Sequence, residues 1–160
     1  MDDALLNLLE ENALAKPETL AAQLKTTPDE VRKRIAQLEK DRVILAYKAI
    51  VDDERAKRTN VKAVIEVRIT PEREGGFDRV AHRIAQYREV QSCFLMSGGF
   101  DLLVFIEGKT LQEVAGFVSE KLSTLPGVLS TATHFNLKTY KQQGVLREAV
   151  VYEERLKISP

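Results

Sequence analysis

Few side chains in this chain could carry out a reaction. The nucleophile and metal-ligand types come down to Cys93, His82 and His134, with adjacent carboxylates at Asp2/Asp3, Glu10/Glu11 and Asp52/Asp53. A cysteine nucleophile needs a base or a positive environment, and a zinc site needs ligands at short, regular spacing. Neither histidine has such neighbours in sequence. Cys93 stands inside the apolar run "VQSCFLM", where a core thiol is expected. The carboxylate pairs fall on segments that read as caps or exposed turns, and no glycine pattern matches a phosphate loop or a dinucleotide fingerprint. The chain is expected to be no enzyme and to hold no metal or cofactor.

Binding chemistry is easier to find. In "MSGGFDLLVF" two glycines and an aspartate interrupt an apolar run. One reading is a tight turn between strands, with Gly98 and Gly99 supplying φ > 0 and Asp101 bonding turn amides. The other is a ligand cradle over Ser97, Gly98, Gly99, Phe100 and Asp101. Glycine lets a ligand approach the main chain, whose N–H groups can hold a carboxylate while Asp101 accepts from an ammonium. Thr131 and Thr133 alternate on the last expected strand, so they point the same way and either add hydroxyls to that cradle or only serve β propensity. The second cluster is basic. Residues 25–48 hold seven bases against four acids, whereas residues 1–24 hold one base and five acids.

The elements that must position these groups follow from periodicity. Asp2 or Asp3 caps a first helix with Leu5, Leu8 and Leu9 on one face. Pro17 opens a second, with Leu20 and Leu24 inward. "KTT" makes a short connection to "TPDEVRKRIAQLEKD", where Thr27 is the expected N-cap, Pro28 sits at the first helical position and Glu30 completes a capping box. Val31, Ile35 and Leu38 form its buried stripe, which turns Arg32, Lys33 and Gln37 outward. "RVILAYKAIV" reads as a strand or two-stranded wing. Two helices joined by a short turn, the second capped and base-bearing, followed by a β-wing, give a winged helix-turn-helix. The alternative is a merely solvated helical face.

Residues 52–60, "DDERAKRTN", carry six charges and read as a linker. From Val61 the pattern is "VKAVIEVRIT", closed by Pro71 and "EREGG", then a helix on Phe77, Val80, Ala81, Ile84 and Tyr87. Strands follow at "EVQSCFLMS" and "DLLVFIEG", then a helix on Leu111, Val114, Ala115, Val118 and Leu122, and a last strand after "LPGV". The order βαββαβ predicts a ferredoxin-like α+β sandwich, and apolar residues at both parities of the strands predict a second copy against the open sheet face. The expected organisation is a winged helix-turn-helix over residues 1–51, a linker over 52–60, a ferredoxin-like domain over 61–141 and a tail over 142–160. In that tail Val145, Val150, Val151, Tyr152 and Leu156 would form an extra strand, a short helix or a loosely docked end.

Composition bounds the setting. With 24 basic and 24 acidic residues, any nucleic-acid site must be a local patch. A single cysteine allows no intrachain disulfide, the acidic N-terminal stretch is unlike a signal peptide, and no apolar run approaches ~18 residues. A cytoplasmic protein without membrane contact is expected.

"LLNLLEENA", "LAAQL", "VRKRIAQLEKDRVILAYKAIV", "SGGFDLLVFIEG" and "LPGVLSTATHFNL", in that order over residues 2–140, resemble the Lrp/AsnC (feast/famine) regulators. The resemblance implies a winged-helix DNA-binding domain and an amino-acid-sensing βαββαβ domain. It also implies homodimers formed through the sheets, assembling further to tetramers or octamers, with the effector between dimers near the glycine-bearing loop and the last strand. The third helix would then read double-stranded DNA through Arg32 and Lys33, with Gln37 beside them. Lys25, Thr26 and Thr27 would contact phosphate, and Arg34 would either bond phosphate or brace the domain. Ser97 to Asp101 with Thr131 and Thr133 would hold the effector. One departure stands out: Asp29 and Glu30 open the reading helix where the family tends to place small hydroxyl residues. They suit the helix dipole but repel phosphate. A sensing module that has lost specific DNA binding is the competing reading.

Overall fold

The computed structural model describes residues 2–70 and 76–147. The expected closing turn over 71–75 and the tail positions Val150, Val151, Tyr152 and Leu156 lie outside the described residues. The chain divides after Ala49 into two compact units.

The first unit is three helices: α1 Asp2–Glu11, α2 Pro17–Leu24 and α3 Pro28–Lys40. Leu5 and Leu9, Leu20 and Ala21, and Val31 and Leu38 bury one stripe of each helix in a common core, with Leu24, Ile35 and Ile44 packed around it. Removing a Leu, Ile or Val side chain from water stabilises by about 1.5–3 kcal/mol, which is what holds so short a helix as α2 together. The connection between α2 and α3 turns at Lys25, whose backbone is left-handed (φ 54°). Thr27 then caps α3, its hydroxyl accepting from the Glu30 amide at 3.2 Å.

After α3 the expected wing does not form a strand. Residues 43–50 have no β pairing, and Val43, Leu45, Tyr47 and Ile50 are exposed. A strand needs neighbouring backbone to take its N–H and C=O groups, and the described residues of this unit supply none. The segment is tied back instead: the Val43 amide donates to the Leu38 carbonyl at 2.9 Å, and the Tyr47 hydroxyl donates to Glu39 at 2.9 Å. Burial, then that carboxylate, pushes the Tyr47 phenol above its ordinary range.

The second unit is a four-stranded antiparallel sheet in the order β2-β3-β1-β4, built from β1 Val61–Ile69, β2 Val90–Leu95, β3 Leu102–Gly108 and β4 Val128–Phe135. Helices α4 Asp78–Ala85 and α5 Leu111–Gly116 connect them, α5 running on as a wider π-helical stretch over Phe117–Leu122. The alternation of β1 and β3 sends Ala63, Ile65, Val67, Ile69, Leu102, Val104 and Ile106 to the helix side, where Val80, Ile84, Val114, Phe117 and Leu122 meet them. Gly127 shapes the entry to β4: its φ is +94° and an added Cβ would lie 3.1 Å from Val80. Lys141–Gln142 and Val145–Leu146 form a small hairpin, β5 and β6. Among the described residues no helix is long and apolar enough to cross a membrane.

The charged segment expected as a linker is anchored to this unit. Asp52 accepts from the amides of Glu54 and Arg55. Asp53, whose side chain is only 17% exposed, takes Lys62 at 2.5 Å and Arg147 at 3.3 Å. Arg147 also reaches the Gln142 side chain at 3.2 Å, so β1, the hairpin and residues 51–53 meet at one clasp. The hydrogen bond from Lys62, followed by the positive charge around it, holds the Asp53 carboxyl below the usual carboxylate range. A group with a depressed folded pKa contributes stability above its unfolded value, about 3.9, and loses it as pH falls through the folded value. In urea unfolding, the wild-type chain is therefore expected to be more stable than Asp53→Asn at pH 7, with the difference shrinking below about pH 4. A constant difference from pH 7 to pH 3 would contradict the clasp.

Candidate functional site

The basic face of the first unit is more constrained than its sequence suggests. Arg32 and Lys33 both point outward from α3, but only Lys33 is exposed without an ion pair among the described residues. The Arg32 guanidinium donates to Asp29 one turn earlier at 2.8 Å and, across the helix pair, to Glu18 on α2. Asp29, expected to suit the helix dipole and to repel phosphate, also holds the arginine. The carboxylates leave some of the five donors on the fork for a further acceptor. Both acids are well exposed, so each pair is worth no more than about 1 kcal/mol and exchanges readily for a stronger partner.

Arg34 is committed elsewhere. It grips Asp2 at the start of α1 with both arms of its fork, Nε to Oδ1 at 2.6 Å, and the bidentate pair lowers the Asp2 carboxyl and raises the guanidinium. Of the two roles open to it, the geometry supplies the brace. Gln37 donates to Asp41 at 2.8 Å, while Lys25, Thr26 and Thr27 form the connection and the cap at the N-terminal end of α3. Glu18 and Asp2 were not legible as partners of this face. Each looks like an ordinary first-turn acid, and only the packing of the helices brings it to an arginine.

In the second unit the turn at Gly98 has φ +128°, a conformation that glycine adopts freely. Asp101 explains why a carboxylate interrupts the apolar run. Its Oδ2 accepts from the Ile69 amide at 2.8 Å, while its own amide donates to the Val67 carbonyl at 3.0 Å. The carboxylate therefore finishes the end of β1, and the Met96 amide closes the turn onto the Asp101 carbonyl at 2.8 Å. Val67 pairs with Leu102 on one side and Thr131 on the other. The turn and the threonines thus lie at the same end of the sheet but on opposite flanks of β1. Thr131 and Thr133 share a face with Val67 and Ile65, and the Thr131 hydroxyl lies 3.3 Å from that of Ser123. Ser123 was missed in the sequence, since no spacing rule links a helix end to a strand.

The open face of the sheet carries Val64, Glu66, Leu103, Phe105, Phe94, Ala132 and His134. Phe94 and Phe105 pack edge to face at 6.0 Å and remain 50% and 37% exposed. His134 and Glu66 stand 3.3 Å apart among them. Cys93 points to the helix side, packs against the core and has its thiol pushed up by burial, the opposite of an activated nucleophile. Among the described residues no group of three His, Cys, Asp or Glu side chains could hold a metal ion.

Residues 62–146 match the family model described as the Lrp/AsnC ligand binding domain. An uncharacterized HTH-type transcriptional regulator of Bacillus subtilis is 45% identical over 157 residues, 98% of this chain and 95% of that protein. The leucine-responsive regulatory protein of Haemophilus influenzae is 27% identical over 146 residues, 91% and 87% of the two chains. Among solved structures, a transcriptional regulator of Neisseria meningitidis in complex with L-Met superposes with a TM-score of 0.69 at 26% identity, covering 88% of this chain and 90% of that one. AsnC of E. coli, at 16% identity and a TM-score of 0.66 over 88% and 93%, shares the fold. These relatives are transcriptional regulators, not enzymes.

Asp101→Ala is expected to leave the Ile69 amide without its acceptor and to cost about 1–3 kcal/mol of stability. Chemical unfolding of the variant measures this. An unchanged midpoint would mean that the carboxylate is not structural.

Proposed function

The chain belongs to the Lrp/AsnC family of regulators, and from that premise we propose that it is a sequence-specific, DNA-binding transcriptional regulator. The observation that carries the reading is the paired α2 and α3, joined by a turn at Lys25, with Arg32 and Lys33 on the outer face of the capped second helix. In this reading the first unit is a winged helix-turn-helix in which α3 enters the major groove of double-stranded DNA. Lys33 takes a phosphate, Arg32 exchanges a carboxylate for a base edge or phosphate, and Lys25, Thr26 and Thr27 set the register on the backbone. The unpaired segment after α3 stands where the wing would be.

The effector is proposed to be an amino acid, a class supported by the L-Met complex of the Neisseria regulator. Ser97 to Asp101, with Thr131 and Thr133, are proposed to meet it through exposed main-chain N–H groups and hydroxyls, Asp101 acting mainly by holding the turn. The open sheet face supports a homodimer; assembly of such dimers to tetramers or octamers, in the cytoplasm, is part of the same proposal. An effector at an interface between copies then shifts the assembly among spacings of the reading helices, for which a few kcal/mol of differential binding suffices.

A second reading draws on the carboxylates that flank Arg32: a sensing module whose helical unit no longer binds DNA specifically. Gel retardation of the DNA upstream of the chain's own coding region, at rising salt and with and without amino acids, separates the two. The regulator gives a specific shift that weakens as salt rises and changes with one of the amino acids. Lys33→Ala is expected to weaken binding to all sequences alike and to reduce the salt slope by about 1, whereas Arg32→Ala costs about 1–3 kcal/mol and relaxes discrimination. Glu18→Gln, by releasing one side of Arg32 and removing a negative charge, is expected to raise non-specific affinity. No shift with any genomic fragment, from a folded oligomer, would overturn the DNA-binding reading.

A further inference from the structure

The far end of the sheet from the glycine turn holds a cleft of about 830 Å³, between the last residues of β3 and the α5 helix with its π-helical extension. Its wall carries an acid and a base side by side: Lys121 donates to Glu89 at 2.6 Å, although the two are 32 residues apart in sequence. Glu89 is mostly covered, its side chain 21% exposed, whereas Lys121 is 46% exposed. Arg88 and Lys109 add bases to the lining and Glu107, Glu113 and Glu120 add acids, beside the buried Ile106 and Phe117; of these acids Glu107 accepts from Asn60 and Glu113 from the Lys109 amide. The ammonium of Lys121 stays within 5.8 Å and 6.0 Å of the Tyr87 and Phe117 ring centroids, themselves packed edge to face at 5.4 Å. The two charges thus orient each other, and the rings beside Lys121 add a cation–π attraction. Lys121 keeps the Glu89 carboxyl below the usual range, so it is ionised at neutral pH.

That arrangement selects a ligand class. A simple anion entering the cleft would be drawn to Lys121 and Arg88 but opposed by Glu89 and the other lining carboxylates, and a simple cation would meet the bases. A molecule with a carboxylate and an ammonium on neighbouring atoms satisfies both. It places its carboxylate on Lys121 and Arg88 and its ammonium on Glu89, replacing one internal ion pair with two charge-assisted contacts. We propose that this cleft is a binding site for a small zwitterion of the α-amino-acid type, separate from the glycine turn. The two places sit at opposite ends of β3, ~20 Å apart at the rise of a seven-residue strand, so one small molecule cannot span them. The proposal rests on reading this unit as a ligand-binding domain and stands apart from DNA recognition.

The test uses the full chain. A thermal-shift screen with the twenty L-amino acids is followed by calorimetry on the strongest binder, on its amide and on its N-acetyl form, with hydrogen exchange of the wild-type complex. The cleft predicts protection over residues 88–91 and 106–121. It also predicts about a ten- to hundredfold weaker affinity for the amide, which lacks the carboxylate, for the N-acetyl form, which lacks the ammonium, and for binding to Glu89→Gln or Lys121→Gln. Protection confined to residues 96–103 and 128–135, with affinity unmoved by Glu89→Gln, would overturn the cleft and leave the glycine-turn effector reading standing. No binding of any amino acid would overturn both. Should the variants fail to fold, the wild-type exchange pattern and the two analogues still decide the matter.

Discussion

A four-stranded sheet covered by helices on one side only is the constraint from which the rest of this molecule follows. The covered side is dry and closely packed: Ile65, Val67, Leu102 and Val104 are fully buried beneath Ile84, Val114 and Leu122. The opposite side carries Val64, Leu103, Phe105, Phe94 and Ala132 around the single carboxylate Glu66, and Phe94 and Phe105 remain 50% and 37% exposed. Contiguous apolar surface of this kind mostly marks an interface, and an all-antiparallel sheet has no need of apolar residues on a face meant for water. The proposed second copy resolves the conflict, and with it comes an interface at which an effector can act.

The polar groups of that face find partners within the chain. At the start of β1, Lys62 is drawn to Asp53, and Glu107, its partner across the strand pair, accepts from Asn60 at 2.5 Å. The charges at this end are thereby satisfied within the chain, and the apolar residues of the face lie beyond them. Toward β4, His134 and Glu66 answer each other at 3.3 Å. The clasp at Asp53 serves a second purpose by fastening the segment that follows the helical unit to β1 and to the β5–β6 hairpin.

Local chemistry was legible in the sequence, and long-range pairing was not. Pro17, Thr27 and Pro28 announce helix starts through rules that operate within one turn, and α2 and α3 begin where those residues place them. The alternation of "VKAVIEVRI" fixes which side chains of β1 face the helices, because a strand has period two. Asp101 was only half legible. Its residue type and place in a turn pointed to a backbone acceptor role, but its partner, the Ile69 amide, lies 32 positions away. The Arg147–Asp53, Lys121–Glu89 and Arg32–Glu18 pairs are of the same kind, set by tertiary packing that no spacing encodes. The wing failed for a different reason. "RVILAYKAIV" has strand composition, but propensity describes fit to a pleated surface, and the described residues of that unit offer none.

Sedimentation velocity of the full chain at micromolar concentration and physiological salt tests the central claim most directly. A sheet face that requires a second copy predicts dimers or larger assemblies, with no appreciable folded monomer. A stable, well-folded single subunit of 18.0 kDa across that range would contradict it.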